Sequence, residues 1–209
     1  MPFYAVLLIT LGAFLFAVVQ ASFFEWAFHR YWLHRPWLPK DVFTAHTLVH
    51  HQLCKFDDTF EVHDEEQHEA IHFQWWGGPL LIFLNMLPWA GVLWLVERGG
   101  IDLPAIAMIS AGTVAFIIYY AGYEGFHYLM HKPSIPFIEN RSFFQFLKQH
   151  HRIHHVHMDK NLNVLLPIAD WVLGSLVLEA TIPAVTPESA RRLARRHSRS
   201  APREHRDSA

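Results

Sequence analysis

Four short histidine clusters stand beside uncharged stretches long enough to cross a bilayer, and no other feature limits the chain as much. The clusters read His29-Arg-Tyr-Trp-Leu-His34, His46-Thr-Leu-Val-His50-His51, His127-Tyr-Leu-Met-His131 and His151-Arg-Ile-His154-His155, and they hold ten of the seventeen histidines. Neutral imidazole is the commonest protein ligand for transition metals and titrates too near neutrality to serve as a routine surface filler. A single histidine on an apolar face is ordinarily a satisfied core residue. Four clusters at ligand spacing beside candidate spans are not accounted for that way, and they point to a membrane-embedded metal centre.

Residues 2–24, 73–96 and 103–123 each reach the roughly 20 uncharged residues that a transmembrane helix requires. The first has no basic leader and no small-x-small cleavage site, so it reads as a span rather than a signal peptide. Hydrophobic residues make up 52% of the chain and charged ones 17%, against about 25% charged in a soluble protein, so the apolar excess belongs to lipid. Trp26, Trp75, Trp76, Tyr119 and Tyr120 fall near span ends, as interfacial aromatics do. A fourth apolar stretch, 161–183, is interrupted by Asp170 and Glu179 and reads as a segment packed on the bundle or lying in the interface. The expected fold is an all-α integral membrane protein: a bundle of three to four transmembrane helices under a cytoplasm-facing, histidine-rich helical cap.

The second and third spans are joined only by Glu97-Arg-Gly-Gly-Ile-Asp102, which suits a tight helical hairpin and returns the chain to the side it left. All four clusters should therefore emerge on one face. Sixteen of the seventeen Lys and Arg residues lie on that side and only Arg98 on the other, which makes the histidine face cytoplasmic by the positive-inside rule. Residues 1–185 form one membrane domain in this reading. Residues 186–209 form a disordered, arginine-rich tail, because they carry seven arginines and no aromatics and bury too little apolar surface to fold. The chain carries no Gly-x-Gly-x-x-Gly fingerprint and no candidate electron-carrier domain, and no nucleic-acid partner is expected.

On a helix, residues four apart share a face, so His127 and His131, His46 and His50, and His151 and His155 are expected to project in pairs. Neighbours such as His51 and His154 spread ligands over a second face, which lets one helix serve two metals. His29 and His34 are five apart and need a helix end or a distortion to converge; Pro36 disfavours helix at Arg35 and supplies one. Ten imidazoles exceed what one ion accepts and suit two with open positions. Cys54 is the only cysteine, so the donors are nitrogen and oxygen, which favours iron, copper or zinc over magnesium or calcium. A ligating imidazole usually donates its other N–H to a carboxylate or carbonyl. Glu25, Glu124 and Asp170 are the carboxylate candidates for that role, with Asn161 and Asn163 beside them. Asp57, Asp58, Glu61, Asp64, Glu65, Glu66 and Glu69, with His63, His68 and His72 among them, read as a solvated acidic face that also suits docking of a basic electron-transfer partner.

The order His-x4-His, His-x3-His-His, His-x3-His, His-x2-His-His, with a membrane hairpin between the second and third boxes, resembles the fatty acid hydroxylase superfamily, which includes sterol desaturases and carotenoid hydroxylases. The likeness covers about residues 20 to 175, and the run from His150 to His157 followed by Asn161-Leu-Asn163 looks like the family's last box. It implies two iron ions, with zinc as a substitute, held by His29, His34, His46, His50, His51, His127, His131, His151, His154 and His155. His150 and His157 are then residues outside the ligand set. Many members have His-x2-His-His in the second box, where Thr47 stands here, so His46 is taken as the substitute ligand. The resemblance also implies a lipid substrate drawn from the bilayer, dioxygen as oxidant, and a separate ferredoxin or cytochrome b5 type donor with its reductase. Hydroxylation of a C–H bond is the leading expectation and desaturation by the same centre the alternative. A non-catalytic metal transporter is less expected, since transporter sites lie near the bilayer midplane whereas these boxes flank the spans.

Overall fold

The computed structural model describes residues 1–55, 59–62 and 71–180. Among these residues the chain is helical, with no strand. Three helices are long and apolar enough to cross a membrane: α1 (Phe3–Phe28), and, after the short α2 (Lys40–Phe43) and α3 (His51–Leu53), α4 (Gly77–Arg98) and α5 (Ala105–His131). The continuous helical stretch that begins with α1 runs to Leu33. These helices are apolar all round, as lipid contact demands. Leu8, Leu11 and Phe16 of α1, Phe83 and Leu95 of α4, and Ile106 and Ile118 of α5 all face outward.

Small side chains decide how the three pack. Ala13, Ala17 and Ala21, four apart on α1, are buried in one cluster with Ala115, Phe116 and Tyr119 of α5 and Trp89 of α4. Without a hydrophobic drive between helices in lipid, such small faces let the backbones come close enough for dispersion to hold them. A polar relay crosses the same contact: Trp89 Nε1–H donates to Gln20 Oε1 (2.7 Å), and Gln20 Nε2–H donates to Asn85 O (2.9 Å). The α4–α5 turn closes with paired hydrogen bonds, Ile101 N–H to Val96 O (3.2 Å) and Gly100 N–H to Glu97 O (3.0 Å). Gly100 has a φ of +71°, a conformation that a side chain disfavours, so the hairpin expected from the sequence has its glycine where the turn needs one.

The cap at the other end is built from α2, α3, α6 (Pro136–Glu139), α7 (Ser142–Val156) and α8 (Ile168–Val172), with two π-helical segments. Helix α7 is amphipathic, burying Phe144, Leu147, His151 and His154 along its inner side. The described part of the fourth apolar stretch is not a span. It is a folded connection around the five-residue α8, with Leu162 and Val164 fully buried against the bundle. Asn161 turns the chain there with a φ of 52°, which asparagine tolerates better than most residues. Its side chain bridges His150 O and Val177 O through Nδ2 and accepts the Val177 N–H. Residues 57, 58, 63–70 and 186–209, which carry most of the acidic segment, His63, His68 and the tail, lie outside the described residues.

Candidate metal centre

The two π-helical segments explain how histidines five apart meet. Helix α1 continues directly into a π turn over His29–Leu33, and His34 N–H bonds to His29 O (3.2 Å), the i to i−5 pattern of a widened helix. His29 and His34 are thereby stacked, ring centroids 4.9 Å apart. The second π segment, Thr44–His50, does the same for His46 and His51, whose Nε2 atoms lie 3.1 Å apart. This alters the expected pairing on that helix. His46 converges with His51 rather than with His50, because an α-helix puts residues four apart on one face and the π turn shifts that to five. His127 and His131 on α5, and His151 and His155 on α7, keep the α spacing and meet as expected.

The rings gather into two groups. His29, His34, His46, His51 and His154 each place one nitrogen within 4.8 Å of the others, and so do His50, His131, His151 and His155. His127 sits beside the second group, with ring centroids 4.9 Å from His50, 4.8 Å from His131 and 5.0 Å from His151. The adjacent pairs His50–His51 and His154–His155 send one ring to each group, so α7 contributes to both, as does the junction where the second π segment passes into α3. His51 stacks on His155 across the boundary, centroids 4.2 Å apart.

What suits these clusters to a cation is the commitment of the outer ring nitrogens. Nδ1–H donates to a main-chain carbonyl in five rings: His29 to Leu162 O, His127 to Ile71 O, His131 to Phe60 O, His154 to Lys160 O and His155 to Cys54 O. In a sixth, His34 Nδ1–H donates to Thr47 Oγ1 (3.0 Å), whose own proton goes to Leu33 O (2.6 Å). Each of these neutral rings then presents a bare lone pair at Nε2, and those lone pairs face one another. His34 Nε2 lies 3.0 Å from His154 Nε2. His151 Nε2 lies 3.0 Å from His131 Nε2 and 3.1 Å from His155 Nε2, yet it has at most one proton to share between them. His127 Nε2, both nitrogens of His50, and the Nδ1 atoms of His51 and His151 are buried with no hydrogen-bond partner at all. Buried orphan donors and acceptors are costly in a protein interior, and here they are concentrated in one place. Nitrogen donors aimed inward, with their outer N–H groups anchored, fit a transition metal.

The rings outside the three long apolar helices are held neutral. Burial, then the neighbouring imidazoles, push His46, His50, His51, His151 and His155 well below the usual histidine range. Burial lowers His154 to about 4, and burial with the His154 ring lowers His34 to about 2. Neutral imidazole is the ligating form.

The candidate supporting residues fall in different places. Glu25 touches no histidine ring; it accepts hydrogen bonds from Tyr119 Oη–H (2.6 Å), Asn163 Nδ2–H (3.2 Å) and the Val164 N–H. That fixes the strand of chain whose Leu162 carbonyl holds His29, so Glu25 acts one step removed. Glu124 pairs with His72 (3.2 Å) and not with His127, whose outer nitrogen goes to Ile71 O. His72 lies outside both groups. His150 Nε2–H donates to Asp170 Oδ2 (3.2 Å). Asp170 also accepts from Ser175 Oγ–H and from the Leu162 and Asn163 N–H groups. Burial raises the Asp170 carboxyl, but these bonds outweigh it and hold the group below the usual carboxylate range. Asn161 braces the His150 carbonyl, and His157 is exposed at the end of α7. Thr47 and the five carbonyls were not singled out by the sequence. Thr47 carried a signal, as the hydroxyl standing in a histidine box. The carbonyls carried none, because every residue has one.

Below the first group lies an apolar pocket between α1, α4 and α5, enclosing about 60 Å³ of free space. His29 and Leu33 line it at the cap, with Phe73, Tyr120 and Tyr123, and Ala21, Ile82, Asn85 and Phe116 line it deeper in the bundle. The pocket thus runs from the His29 ring down among the three long apolar helices. Compared with family models, curated proteins and solved structures, the chain finds no match in any of the three.

Proposed function

We propose that the chain is a multi-pass membrane oxygenase in which the ten clustered histidines hold two iron ions and hydroxylate a C–H bond of a lipid. The observation that carries this reading is the convergence of nine imidazoles in two groups, with His127 beside the second, at the head of an apolar pocket set between candidate spans. The box order and its resemblance to the fatty acid hydroxylase superfamily support it. A structural zinc site closes with four ligands and would leave most of these rings unused. The chemistry such an iron pair supplies when bound is reductive activation of dioxygen: one oxygen atom enters the C–H bond, the other leaves as water, and two electrons and two protons come from outside.

The residues of the chain supply the setting. The carbonyl and Thr47 anchors hold the rings in the tautomer that aims Nε2 inward. Phe73, Phe116 and Tyr123 keep the pocket apolar, so a hydrocarbon enters and bulk water does not. His29 joins pocket and centre, since it belongs to both. The electrons would come from a separate ferredoxin or cytochrome b5 type carrier reaching the cap, and the distribution of Lys and Arg supports a cytoplasmic position for that cap.

The test is to incubate the iron-loaded protein in lipid membranes with dioxygen and a reducing system, then profile the lipids by mass. A gain of one oxygen atom is expected, and only when dioxygen and reductant are both supplied. Loss of two hydrogens would assign desaturation to the same centre. Activity that follows zinc content and survives without dioxygen would overturn the reading.

A further inference from the structure

Two carboxamides sit at the same level of the bundle, and they are not treated alike. Both polar ends of Gln20 are used, Oε1 by Trp89 and Nε2 by the Asn85 carbonyl, so Gln20 is accounted for by packing. Asn85 is only 5% exposed and lines the pocket. Its Nδ2–H bonds back to Leu81 O on its own helix (2.9 Å), which fixes which way the amide points. Its Oδ1 is buried with no partner. An unpaired acceptor buried within a long apolar helix is unfavourable, because neither water nor a neighbouring donor satisfies it. Ala21, Leu81, Ile82 and Phe116 of the pocket wall have no polar side-chain group to offer it, Tyr119 in the same wall donates to Glu25, and none of the pocket's other polar side chains bonds Asn85 Oδ1.

Asn85 marks the deep end of the pocket and His29 the cap end. The Gln20–Asn85 bond puts Asn85 level with Gln20, and nine residues of helix separate Gln20 from His29, a rise of about 13 Å. We propose that Asn85 Oδ1 accepts a hydrogen bond from a hydroxyl on the lipid, so that the preferred ligand is a lipid alcohol seated with its hydroxyl deep in the bundle and its hydrocarbon end at His29. The inference rests on the pocket being the lipid site of the proposed reaction. It adds the chemical class of the lipid, its orientation, and the residue that reads it. The oxidised carbon is then remote from the hydroxyl, by the distance between Asn85 and His29.

Binding tests this without turnover. Labelled 1-dodecanol and dodecyl methyl ether, which keeps the oxygen and loses its proton, are equilibrated with the full chain in phosphatidylcholine nanodiscs and corrected against protein-free discs. The alcohol should bind about five- to tenfold more tightly than the ether, the worth of one buried hydrogen bond. Asn85→Leu should abolish that preference by weakening the alcohol while leaving the ether bound. Equal binding of alcohol and ether to the wild-type protein overturns the assignment of Asn85, and this comparison does not depend on the variant folding. An undiminished preference in Asn85→Leu overturns it too. If neither probe binds above the protein-free discs, the pocket is not a lipid site, and the reading on which the inference rests falls with it.

Discussion

His34 and His154 meet nitrogen to nitrogen at 3.0 Å, and the outer N–H of each ring is already spent, on Thr47 Oγ1 and on Lys160 O. With both rings neutral there is no proton for that contact, only two lone pairs aimed at a shared space. Thr47 is the one side-chain anchor in the set of six. Thr47→Val keeps the shape and removes the acceptor, freeing His34 to rotate or to change tautomer. It should weaken metal binding about 10- to 100-fold, the usual effect of losing such a support. Thr47→Ser should restore most of it. Chelator competition on the metal-loaded protein measures both, and unchanged affinity in Thr47→Val would remove this residue from the site.

The division into two groups predicts separable losses. His154 belongs to the group with His29 and His46, and His131 to the group with His50 and His151. Each alanine variant should lose about one equivalent of metal and keep the other, while lipid oxidation falls below detection in both. Insertion into membranes should be unaffected, since the three apolar helices carry it. His157→Ala, at an exposed position, should behave as wild type. Loss of both metals together from either variant would mean that the ten rings form a single cooperative site.

Much of this centre is legible in spacing alone, and the rest is hidden for specific reasons. His127 and His131, or His151 and His155, are four apart on long helices, so their convergence follows from the helical repeat. His46 and His51 are five apart, and only the π turn over Thr44–His50 brings them together; hydropathy does not encode that widening. The three helices long and apolar enough to cross a membrane and the Gly100 turn are written in composition and in one glycine. Glu124 looked like a partner for His127, three residues away, but its carboxylate meets His72 from the chain before α4. The anchors of His29, His131 and His155 are carbonyls from segments far away in sequence, and only the folded chain reveals them.

Glu25 offers a test of support acting at a distance. Its carboxylate accepts from three donors, and Val164 and Asn163 belong to the same short run as Leu162, the anchor of His29. Glu25→Gln turns one acceptor into a donor facing a donor, a mismatch worth about 1–3 kcal/mol in a buried site. Thermal unfolding should shift down accordingly. Metal affinity should fall in the group containing His29 and hold in the group containing His131. An equal fall in both would show that Glu25 supports the fold in general and not that ring.

The neutral rings fix how the metal-free protein responds to acid. An unfolded histidine titrates near 6.5, whereas burial lowers His154 to about 4 and, with the His154 ring beside it, His34 to about 2. Between about pH 6.5 and 4 the unfolded chain therefore binds protons that the folded chain refuses, and stability must fall as pH falls through that window. Each such histidine contributes at most about 1.4 kcal/mol per pH unit there. Asp170 adds nothing to this slope above about pH 4, because its depressed carboxyl is ionised in both states and weakens the fold only as acid approaches its folded value. Denaturant unfolding of the metal-free chain in nanodiscs should thus show a decline that begins near pH 6.5, reaches its full slope about one pH unit lower and loses the His154 share near pH 4. Bound metal should delay the decline, since protons must then displace it from the same nitrogens. In His154→Ala the metal-free slope should be shallower by up to one histidine's share. A flat profile down to pH 4 would mean that these rings are solvated or already protonated in the folded chain, and the inward-facing lone pairs on which the metal assignment depends would not exist.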